Sequence, residues 1–340
     1  MRDDILIIKG SEVVSLLAGR ERDLIELAGR VYVAHARGET SLPHSTFLRF
    51  PNNSRDRIIA LPAYFGDDSQ VAGIKWISSF PGNLAMGLDR ASAVVVLNSA
   101  QTGHPKAFME GSAISAKRTA ASAALAARSL FPARQTPRLG LVGCGPINFE
   151  ILRFLTALWP DLKEGVAYDL APERAGQFKE KCRTALNGIE IEVVSDIKAV
   201  FRMASLITFA TTALEPYILD TPECAPGAFI LHISLRDLGP RVILECDNIV
   251  DDADHLCRAQ TSAHLAEQQV GHRNFIRCSL ADILLGTAPA RRDAESVAVF
   301  SPFGLGVLDI ALGQFVYEMA IKEGKGTVIN SFLPDPGLRL

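Results

Sequence analysis

The 340-residue chain has 35 basic and 38 acidic residues, a formal net charge of −3, and 48% hydrophobic residues. This length and apolar content suffice for two domains, each with its own core. The balance of charges, with no block of one sign, excludes the basic surface typical of nucleic-acid-binding proteins. No stretch approaches the roughly eighteen apolar residues of a membrane-spanning helix, and Met1–Gly10 lacks the apolar run of a signal peptide. We expect a cytoplasmic protein without a membrane or nucleic-acid partner.

The cysteines and histidines are scattered along the chain. No CxxC pair and no histidine spacing typical of metal ligands is present, so neither a disulfide framework nor a metal site is predicted. We expect reduced thiols. The positions are Cys144, Cys182, Cys224, Cys246, Cys257 and Cys278, and His35, His44, His104, His232, His255, His264 and His272.

Residues 1–125 have the mixed pattern of an α+β domain. Short apolar runs that alternate with polar residues predict strands, and apolar residues at helical spacing predict helices. A polar turn after Asn98 allows the chain to return as the second strand of a hairpin. The predicted elements are a strand at Ile5–Ile8, a helix at Asp23–Arg37, strands at Arg57–Leu61, Val71–Ile77, Ala93–Asn98 and Pro105–Met109, and a helix at Ile114–Leu130.

From Leu139 onward, short apolar runs alternate with helix-length amphipathic segments. This alternation is typical of a Rossmann-type, doubly wound parallel sheet with crossover helices. We assign residues 126–307 to this α/β domain, and residues 308–340, which include a predicted helix at Leu308–Ala320, to the first domain. The predicted strands are Leu139–Val142, Val166–Tyr168, Ile189–Val194, Leu206–Ala210, Ala228–Ile233 and Asn248–Val250.

A glycine-containing loop joins the first of these strands to a helix, which is the context of a dinucleotide-binding fingerprint. The loop is Gly143-Cys144-Gly145-Pro146-Ile147-Asn148. Gly143 would form the tight turn, and Gly145 would let the backbone approach a pyrophosphate at the helix N-terminus. Pro146 suits the first helical turn because that turn has no partner for its N–H group. Asn148 departs from the pattern, which normally has glycine or alanine there for close helix packing.

Asp169 follows the second strand of the sheet. A carboxylate at that strand end can accept hydrogen bonds from the adenosine ribose and would repel a 2′-phosphate, so NAD is the predicted cofactor. The nearby Arg174 leaves NADP open. An ordinary strand, turn and helix with an exposed aspartate is the alternative interpretation of the loop and the acid together.

Motifs along nearly the whole chain resemble the ornithine cyclodeaminase and mu-crystallin superfamily. The resemblance implies a dinucleotide-dependent oxidoreductase acting on the C–N bond of an amino acid, and a homodimer formed through the first domain. The motifs are Gly73-Ile74-Lys75-Trp76, Arg90-Ala91-Ser92, Met109-Glu110-Gly111-Ser112, Arg118-Thr119-Ala120-Ala121-Ser122, the Gly143 loop, Leu280-Ala281-Asp282-Ile283-Leu284 with Gly286, Pro289 and Arg291, and Phe303-Gly304-Leu305-Gly306 with Asp309.

Within this superfamily, the chain is most similar to the branch that makes 2,3-diaminopropionate for siderophores or peptide natural products. The residues that carry this similarity are Arg55 to Pro62, Lys75-Trp76, Arg90-Ala91-Ser92 and Glu110. The branch implies NAD-dependent oxidative hydrolysis of N-((2S)-2-amino-2-carboxyethyl)-L-glutamate to 2-oxoglutarate and L-2,3-diaminopropionate.

Two alternatives stay open within the superfamily. One is a cyclodeaminase that recycles NAD, although Gly239-Pro240-Arg241-Val242-Ile243 stands where cyclodeaminases usually have Pro-Gly-Lys-Thr-Glu. The other is a mu-crystallin-like protein that binds a small ligand without turnover. Net formation of NADH separates the predicted dehydrogenase from both.

The resemblance implies a cationic clamp for a substrate carboxylate, formed by Arg57, Lys75 and Arg118. A guanidinium such as that of Arg118 can bind a carboxylate through two parallel hydrogen bonds. Lys75 is either a second carboxylate contact or a proton donor with a lowered pKa, and its strand pattern alone favours a solvated surface lysine. Thr119 is a candidate donor to a cofactor phosphate.

Asp237 follows the strand Ala228–Ile233, and the carboxyl ends of parallel strands are where such folds bind ligands. It matches the family's catalytic aspartate, which implies a general base or proton relay. An ordinary turn aspartate before Gly239-Pro240 is the alternative. Gly304 and Gly306 are predicted to let the chain pass close to a nicotinamide ring, or are simply loop glycines.

Overall fold

A computed structural model describes residues 4–67, 70–131, 136–186, 188–220 and 223–333. The strands are β1 (Ile5–Ile8), β2 (Thr40–Ser41), β3 (Thr46–Phe50), β4 (Asn53–Phe65), β5 (Val71–Ser79), β6 (Ala93–Ser99), β7 (Pro105–Glu110), β8 (Leu139–Val142), β9 (Glu164–Tyr168), β10 (Glu190–Val193), β11 (Leu206–Phe209), β12 (Phe229–His232), β13 (Asp247–Val250), β14 (Ile276–Ser279), β15 (Ala298–Ser301) and β16 (Thr327–Ile329). The helices are α1 (Gly10–Leu17), α2 (Glu21–Ala36), α3 (Ser112–Leu130), α4 (Pro146–Leu158), α5 (Pro172–Ala185), α6 (Ile197–Met203), α7 (Pro240–Glu245), α8 (Ala253–Leu256), α9 (Ser262–Val270), α10 (Leu280–Leu284) and α11 (Gly306–Glu323), with a 3₁₀ helix at Pro81–Met86.

The chain forms two compact units, of which the first comprises residues 1–20, 34–118 and 305–340. Its strands form one mixed sheet in the order β16-β1-β7-β6-β5-β4-β2, and β3 also pairs with β4. The predicted α+β architecture is confirmed. One face of this sheet packs on α11: a side chain at Gly73 would meet Ile310, and one at Gly313 would meet Val95. Close approach of the helix to the sheet therefore explains Gly313, whereas at Gly73 the carbonyl oxygen of Val96 on β6, 2.4 Å from a Cβ atom there, already requires glycine.

The second unit comprises residues 21–33 and 119–304. Its sheet is parallel throughout, in the order β10-β9-β8-β11-β12-β15-β13-β14. Numbered from β8, the order begins 3-2-1-4-5, which is the Rossmann arrangement with its topological switch point between β8 and β11. The predicted doubly wound sheet is thus confirmed. All six predicted strands belong to it.

Two strands of this sheet, β14 and β15, are absent from the prediction. β15 is fully buried but only four residues long, and β14 lies at the sheet edge and contains Arg277 and Ser279. Short apolar runs do not distinguish strands from other buried segments, and edge strands lack a continuous apolar pattern.

The boundaries of the second unit differ from the predicted division at residues 125 and 126. Residues 21–33 of α2 belong with the later part of α3 because the two segments are joined by side-chain contacts. The Tyr32 hydroxyl hydrogen-bonds Ser122, and Arg128 forms an ion pair with Glu26. Hydrophobic periodicity predicts each helix, but it does not predict which unit a helix joins.

All six cysteines are unpaired. Within the described stretches, no group of three or more histidine, cysteine and acidic side chains is arranged to hold a metal ion. No helix in those stretches combines the length and the apolar character needed to cross a membrane.

Candidate active site

The loop after β8 has the geometry of a dinucleotide-binding turn. Gly143 has φ +89°, and a Cβ atom there would lie 2.6 Å from the carbonyl oxygen of Ala210, so only glycine fits. A Cβ at Gly145 would meet nothing within 4 Å, and Gly145 is the N-cap of α4. A pyrophosphate requires two things here: open space next to the backbone, and the free N–H groups at the start of a helix. Pro146 is the first residue of α4, and Ile147 follows it.

Asn148, which departs from the glycine pattern, holds this loop in place through hydrogen bonds of its side chain. Its side chain is fully buried, and Nδ2 donates to the carbonyl oxygens of Val142 at 2.9 Å and Gly143 at 2.7 Å. Its Oδ1 accepts a hydrogen bond from the Thr208 hydroxyl. Three side-chain hydrogen bonds therefore join α4 to β8, the loop after it and β11, where the usual motif relies on close packing alone.

Asp169 lies beside this loop, directly after β9. Its carboxylate accepts hydrogen bonds from the backbone N–H groups of Cys144 at 2.8 Å and Ala171 at 2.9 Å. These two contacts fix the carboxylate at the carboxyl edge of the sheet. One carboxylate oxygen can accept more than one hydrogen bond, so the anchoring is compatible with binding ribose hydroxyls as well.

Asp237 follows β12 and is fully buried. Its Oδ1 accepts hydrogen bonds from the hydroxyls of Thr211 at 2.5 Å and Tyr217 at 3.1 Å, and its Oδ2 accepts one from Ser234. The surrounding hydroxyls can pass a proton to or from a carboxylate that solvent does not reach directly. Tyr217 is suited to this because it is 45% exposed although its hydroxyl contacts Asp237.

Burial has the largest single effect on the pKa of Asp237, and it raises that pKa. The hydrogen bond and charge of His232, together with the hydrogen bonds from Ser234 and Thr211, outweigh burial, so the pKa lies below its ordinary value. His232 Nε2 lies 3.3 Å from Asp237 Oδ2 and accepts the Asp237 backbone N–H at 3.2 Å. Burial and Asp237 raise the pKa of Tyr217, which keeps that hydroxyl protonated.

In the first unit, Lys75 and Arg118 meet at one carboxylate, that of Asp309. Lys75 Nζ lies 2.6 Å from Asp309 Oδ2, and Arg118 Nε lies 3.2 Å from Asp309 Oδ1. Lys75 is 1% exposed and Asp309 is fully buried. The strand pattern alone favoured a solvated surface lysine at position 75, and that interpretation is wrong. Two cations against one anion leave a buried group with one net positive charge, which suits the binding of one carboxylate.

Burial lowers the pKa of Lys75, Asp309 partly offsets this, and the charge of Arg118 adds to the lowering, so that the pKa is about 8. The ammonium therefore titrates close to neutral pH. Lys75 also donates to the Ser115 hydroxyl at 3.2 Å. A lysine held in this way can serve as a cationic contact or exchange a proton.

The other predicted site residues lie elsewhere. Arg57 projects from the same sheet face as Lys75 but sits opposite Ser79, four residues further along β5. Thr119 follows Arg118 on α3 in the residue order but belongs to the second unit. Gly304 has φ +92° and donates its N–H to buried Asp251 at 2.8 Å, so a side chain there would be strained.

Several residues of the two clusters, around Asp237 and around Asp309, could not be predicted from the sequence. Asp309 has a weak signal, because it appears in the family motif but without a role. Thr211, Tyr217 and His232 have none, since threonines, tyrosines and histidines near strand ends are common. Gly306 has a packing role instead of a clear ligand role: a Cβ there would lie 3.1 Å from that of Leu61.

The fold and these clusters define a two-unit protein with a dinucleotide-binding Rossmann sheet and a separate unit that holds a buried cationic pair. The family model "Ornithine cyclodeaminase/mu-crystallin family" matches residues 19–324. The chain belongs to this family, as its motifs predict.

Named relatives cover the chain from end to end. It is 27% identical to N-((2S)-2-amino-2-carboxyethyl)-L-glutamate dehydrogenase of Staphylococcus aureus, over 98% of this chain and 100% of that protein. It is 26% identical to alanine dehydrogenase of Archaeoglobus fulgidus, over 97% and 99%. Among solved structures, an archaeal alanine dehydrogenase dimer with bound NAD superposes with a TM-score of 0.85, at 24% identity and with 95% or more of each chain covered (96% and 99%).

Proposed function

We propose that this chain is an NAD-dependent dehydrogenase that converts N-((2S)-2-amino-2-carboxyethyl)-L-glutamate and water to 2-oxoglutarate and L-2,3-diaminopropionate, with release of NADH. The observation that carries the proposal is the end-to-end similarity to the Staphylococcus aureus dehydrogenase of that name. The product would serve siderophore or peptide natural-product biosynthesis. A cytoplasmic location remains a prediction from the sequence.

The dinucleotide fits the residues of the second unit. The open backbone at Gly145 and the start of α4 at Pro146 and Ile147 would receive the pyrophosphate, with Thr119 as a further phosphate donor. Asp169 would accept from the adenosine ribose, and the turn at Gly304 would lie beside the nicotinamide. Bound there, NAD would accept the hydride that leaves the glutamate Cα.

The chain's own residues would bind the substrate and manage its protons. Lys75 and Arg118, with one net positive charge, would hold one substrate carboxylate and so orient Cα for hydride loss. Asp237 would take the proton that leaves the nitrogen as the C–N bond becomes an imine, and would release it to solvent through the surrounding hydroxyls. The carboxylate would then accept a proton from the water that attacks the imine carbon and return it to the nitrogen of diaminopropionate. Hydrolysis breaks the C–N bond and leaves the nitrogen on diaminopropionate, so one hydride and one net proton leave the substrate and water.

Absorbance of NADH after mixing the purified protein with NAD and candidate substrates tests this proposal. We expect N-((2S)-2-amino-2-carboxyethyl)-L-glutamate to give one NADH per 2-oxoglutarate, and L-alanine, L-proline and L-ornithine to give far less. If only alanine or proline gave NADH, the proposed substrate would be wrong, but the protein would still be a dehydrogenase. Ammonia and proline from ornithine without net NADH would favour a cyclodeaminase, and no turnover with any of them would favour ligand binding alone.

Asp169 is expected to set the choice of dinucleotide. Asp169→Asn keeps an acceptor for the Cys144 N–H but removes the charge that opposes a 2′-phosphate. We expect the preference for NAD over NADP to fall about tenfold or more, since hydrogen bonds to charged groups contribute roughly 1.5–3 kcal/mol. Dissociation constants for both dinucleotides measure this. Exposed Asp161→Asn is the control, and an unchanged ratio in Asp169→Asn would remove Asp169 from ribose recognition.

We also propose that the chain forms a homodimer through the sheet face of the first unit that points away from α11. The register places Ile74 beside Val96 and Val96 beside Phe108, with Trp76 in the next row. Trp76 is 40% and Phe108 39% exposed. Contiguous apolar side chains on a sheet face are typical of an interface.

Trp76→Glu is expected to shift the protein from dimer to monomer, because the interface would have to bury an unpaired charge. Light scattering after size-exclusion chromatography measures the mass. Ile321→Glu, which changes an exposed residue on α11, should leave the mass unchanged. A wild-type monomer, or a dimeric Trp76→Glu variant, would contradict this interface.

A further inference from the structure

The turn that follows β15 is held by one buried carboxylate, that of Asp251. Asp251 comes directly after β13, which is the neighbour of β15 in the sheet, and it is 3% exposed. Its Oδ1 accepts hydrogen bonds from the backbone N–H groups of Asp252 at 2.8 Å and Phe303 at 2.9 Å, and its Oδ2 accepts one from Gly304 at 2.8 Å. Two of the three donors therefore belong to the turn after β15.

This set of contacts requires a carboxylate at position 251. Both oxygens of an ionised aspartate are acceptors, whereas an asparagine would place its own N–H group against one of the backbone donors. Burial raises the pKa of Asp251, and the N–H groups of Gly304, Phe303 and Asp252 oppose that rise. A buried charge costs free energy unless it is hydrogen-bonded. The carboxylate and the turn therefore stabilise each other.

The turn has a conformation that needs such support. Gly304 has φ +92°, in the left-handed region that residues with a side chain rarely adopt. The side chain of Phe303 packs against an apolar cluster of the second unit, which also contains Leu235 from the loop that carries Asp237. The buried members of the cluster are Leu235, Val250, Leu256, Cys257 and Ala263. The turn and the Asp237 loop are thus anchored on the same apolar side chains.

The order of the strands indicates the direction in which a dinucleotide crosses the sheet edge. The strands β9-β8-β11-β12-β15 are neighbours in this order and all parallel, so their carboxyl ends lie at one edge. The pyrophosphate would bind after β8, and Asp169, after β9, would accept from the adenosine ribose. Because a dinucleotide binds across the switch point, its other half extends over the ends of β11, β12 and β15. The turn that Asp251 holds therefore flanks the nicotinamide position.

We propose that Asp251 is a positioning residue for the nicotinamide half of the dinucleotide, because its carboxylate holds the turn at Phe303 and Gly304 in the shape that the ring contacts. The inference rests on the NAD site of the proposed function and deepens it. It does not depend on which amino acid is the substrate. Asp251 itself would not touch the reacting atoms.

The test compares NADH with ADP-ribose, which has the same adenosine, pyrophosphate and second ribose but lacks the nicotinamide. Both ligands are titrated by calorimetry into the wild type, Asp251→Asn and Gly304→Ala. Asp251→Asn keeps the size of the side chain and loses one acceptor oxygen. Gly304→Ala strains the same turn and leaves the carboxylate in place, so it tests the turn even if Asp251→Asn does not stay folded. Thermal unfolding shows which variants are folded.

The matched control is Asp247→Asn, at the opposite end of β13 and about 13 Å away along the strand. Asp247 is 2% exposed, and its carboxylate accepts hydrogen bonds from Arg277 Nε at 2.6 Å and from the Arg292 backbone N–H at 3.0 Å. Its replacement breaks a buried ion pair and should lower the unfolding temperature. Because it lies far from the turn, it should leave the ratio of the two dissociation constants unchanged.

We expect the wild type to bind NADH more tightly than ADP-ribose. Asp251→Asn and Gly304→Ala should each weaken NADH binding by about tenfold or more, as expected for loss of a hydrogen bond to a charged group or for strain in the turn, and change ADP-ribose binding less than about twofold. Equal weakening of both ligands, no weakening of either, or the same change of ratio in Asp247→Asn would each overturn the inference. If Asp251→Asn does not fold, the ratio measured for Gly304→Ala decides in the same way.

The outcome is separable from that of the proposed reaction. A selective loss of NADH binding in a protein that does not oxidise the N-substituted glutamate keeps the role of Asp251 and rejects the reaction. A wild type that oxidises that substrate, while Asp251→Asn keeps the wild-type ratio of dissociation constants, keeps the reaction and rejects the role. A wild type that binds neither ligand rejects both.

Discussion

Replacing Asp237 with asparagine is expected to lower kcat by about 10²- to 10⁴-fold, the usual contribution of a positioned general acid or base. Asparagine keeps the size of the side chain but cannot take a proton at neutral pH. NADH binding should change little because Asp237 is held by Thr211, Tyr217 and Ser234, none of which belongs to the glycine loop. Steady-state kinetics with N-((2S)-2-amino-2-carboxyethyl)-L-glutamate measures the change.

The matched control for this substitution is Asp220→Asn in the same unit. Asp220 forms an exposed ion pair with Arg241, and such pairs contribute little to stability. Its kcat should match that of the wild type. If Asp237→Asn stays folded and keeps an unchanged kcat, the aspartate is a structural turn residue and the proton passes through another group. If kcat is retained but KM rises sharply, Asp237 contributes to binding instead.

The parts of the fold that follow from short stretches of sequence could be predicted. The strand, glycine turn and helix around Gly143 are contiguous, so their order alone indicates the turn geometry that the structure has. The six predicted strands of the second unit were recognisable for the same reason. Asn148 was recognised only as a departure, because its two backbone partners and Thr208 become neighbours only when α4 packs on the sheet.

The candidate site depends on contacts that no local pattern encodes. Lys75 and Asp309 are 234 positions apart, yet their contact changes Lys75 from a plausible surface residue into a buried cation. The alternation along β5 shows only that Lys75 shares a face with Ile77 and Ser79. Which face α11 covers, and therefore which side chains lose water, is fixed by tertiary packing.

Lys75 is expected to impose a pH limit on substrate capture. Burial lowers the pKa of Lys75 to about 8, so its charge is present below that pH and lost above it. If the ammonium binds a substrate carboxylate, kcat/KM should fall about tenfold for each pH unit above 8, since kcat/KM reports ionisations of the free enzyme. Lys75→Met should raise KM about 10- to 100-fold at pH 7, because one charge-assisted contact is lost.

Lys75→Arg separates the two roles left open for this residue. A guanidinium keeps its charge across the whole range, so the decline above pH 8 should disappear if Lys75 acts as a cationic contact. A wild-type rate that rises through pH 8, and is lost in Lys75→Arg, would instead identify neutral Lys75 as a proton acceptor.

The pH dependence of unfolding supplies an independent check on the pKa of Lys75. Between pH 8 and 10.5 the unfolded chain keeps a proton that folded Lys75 has released, so wild-type stability should gain an increment with rising pH that Lys75→Met lacks.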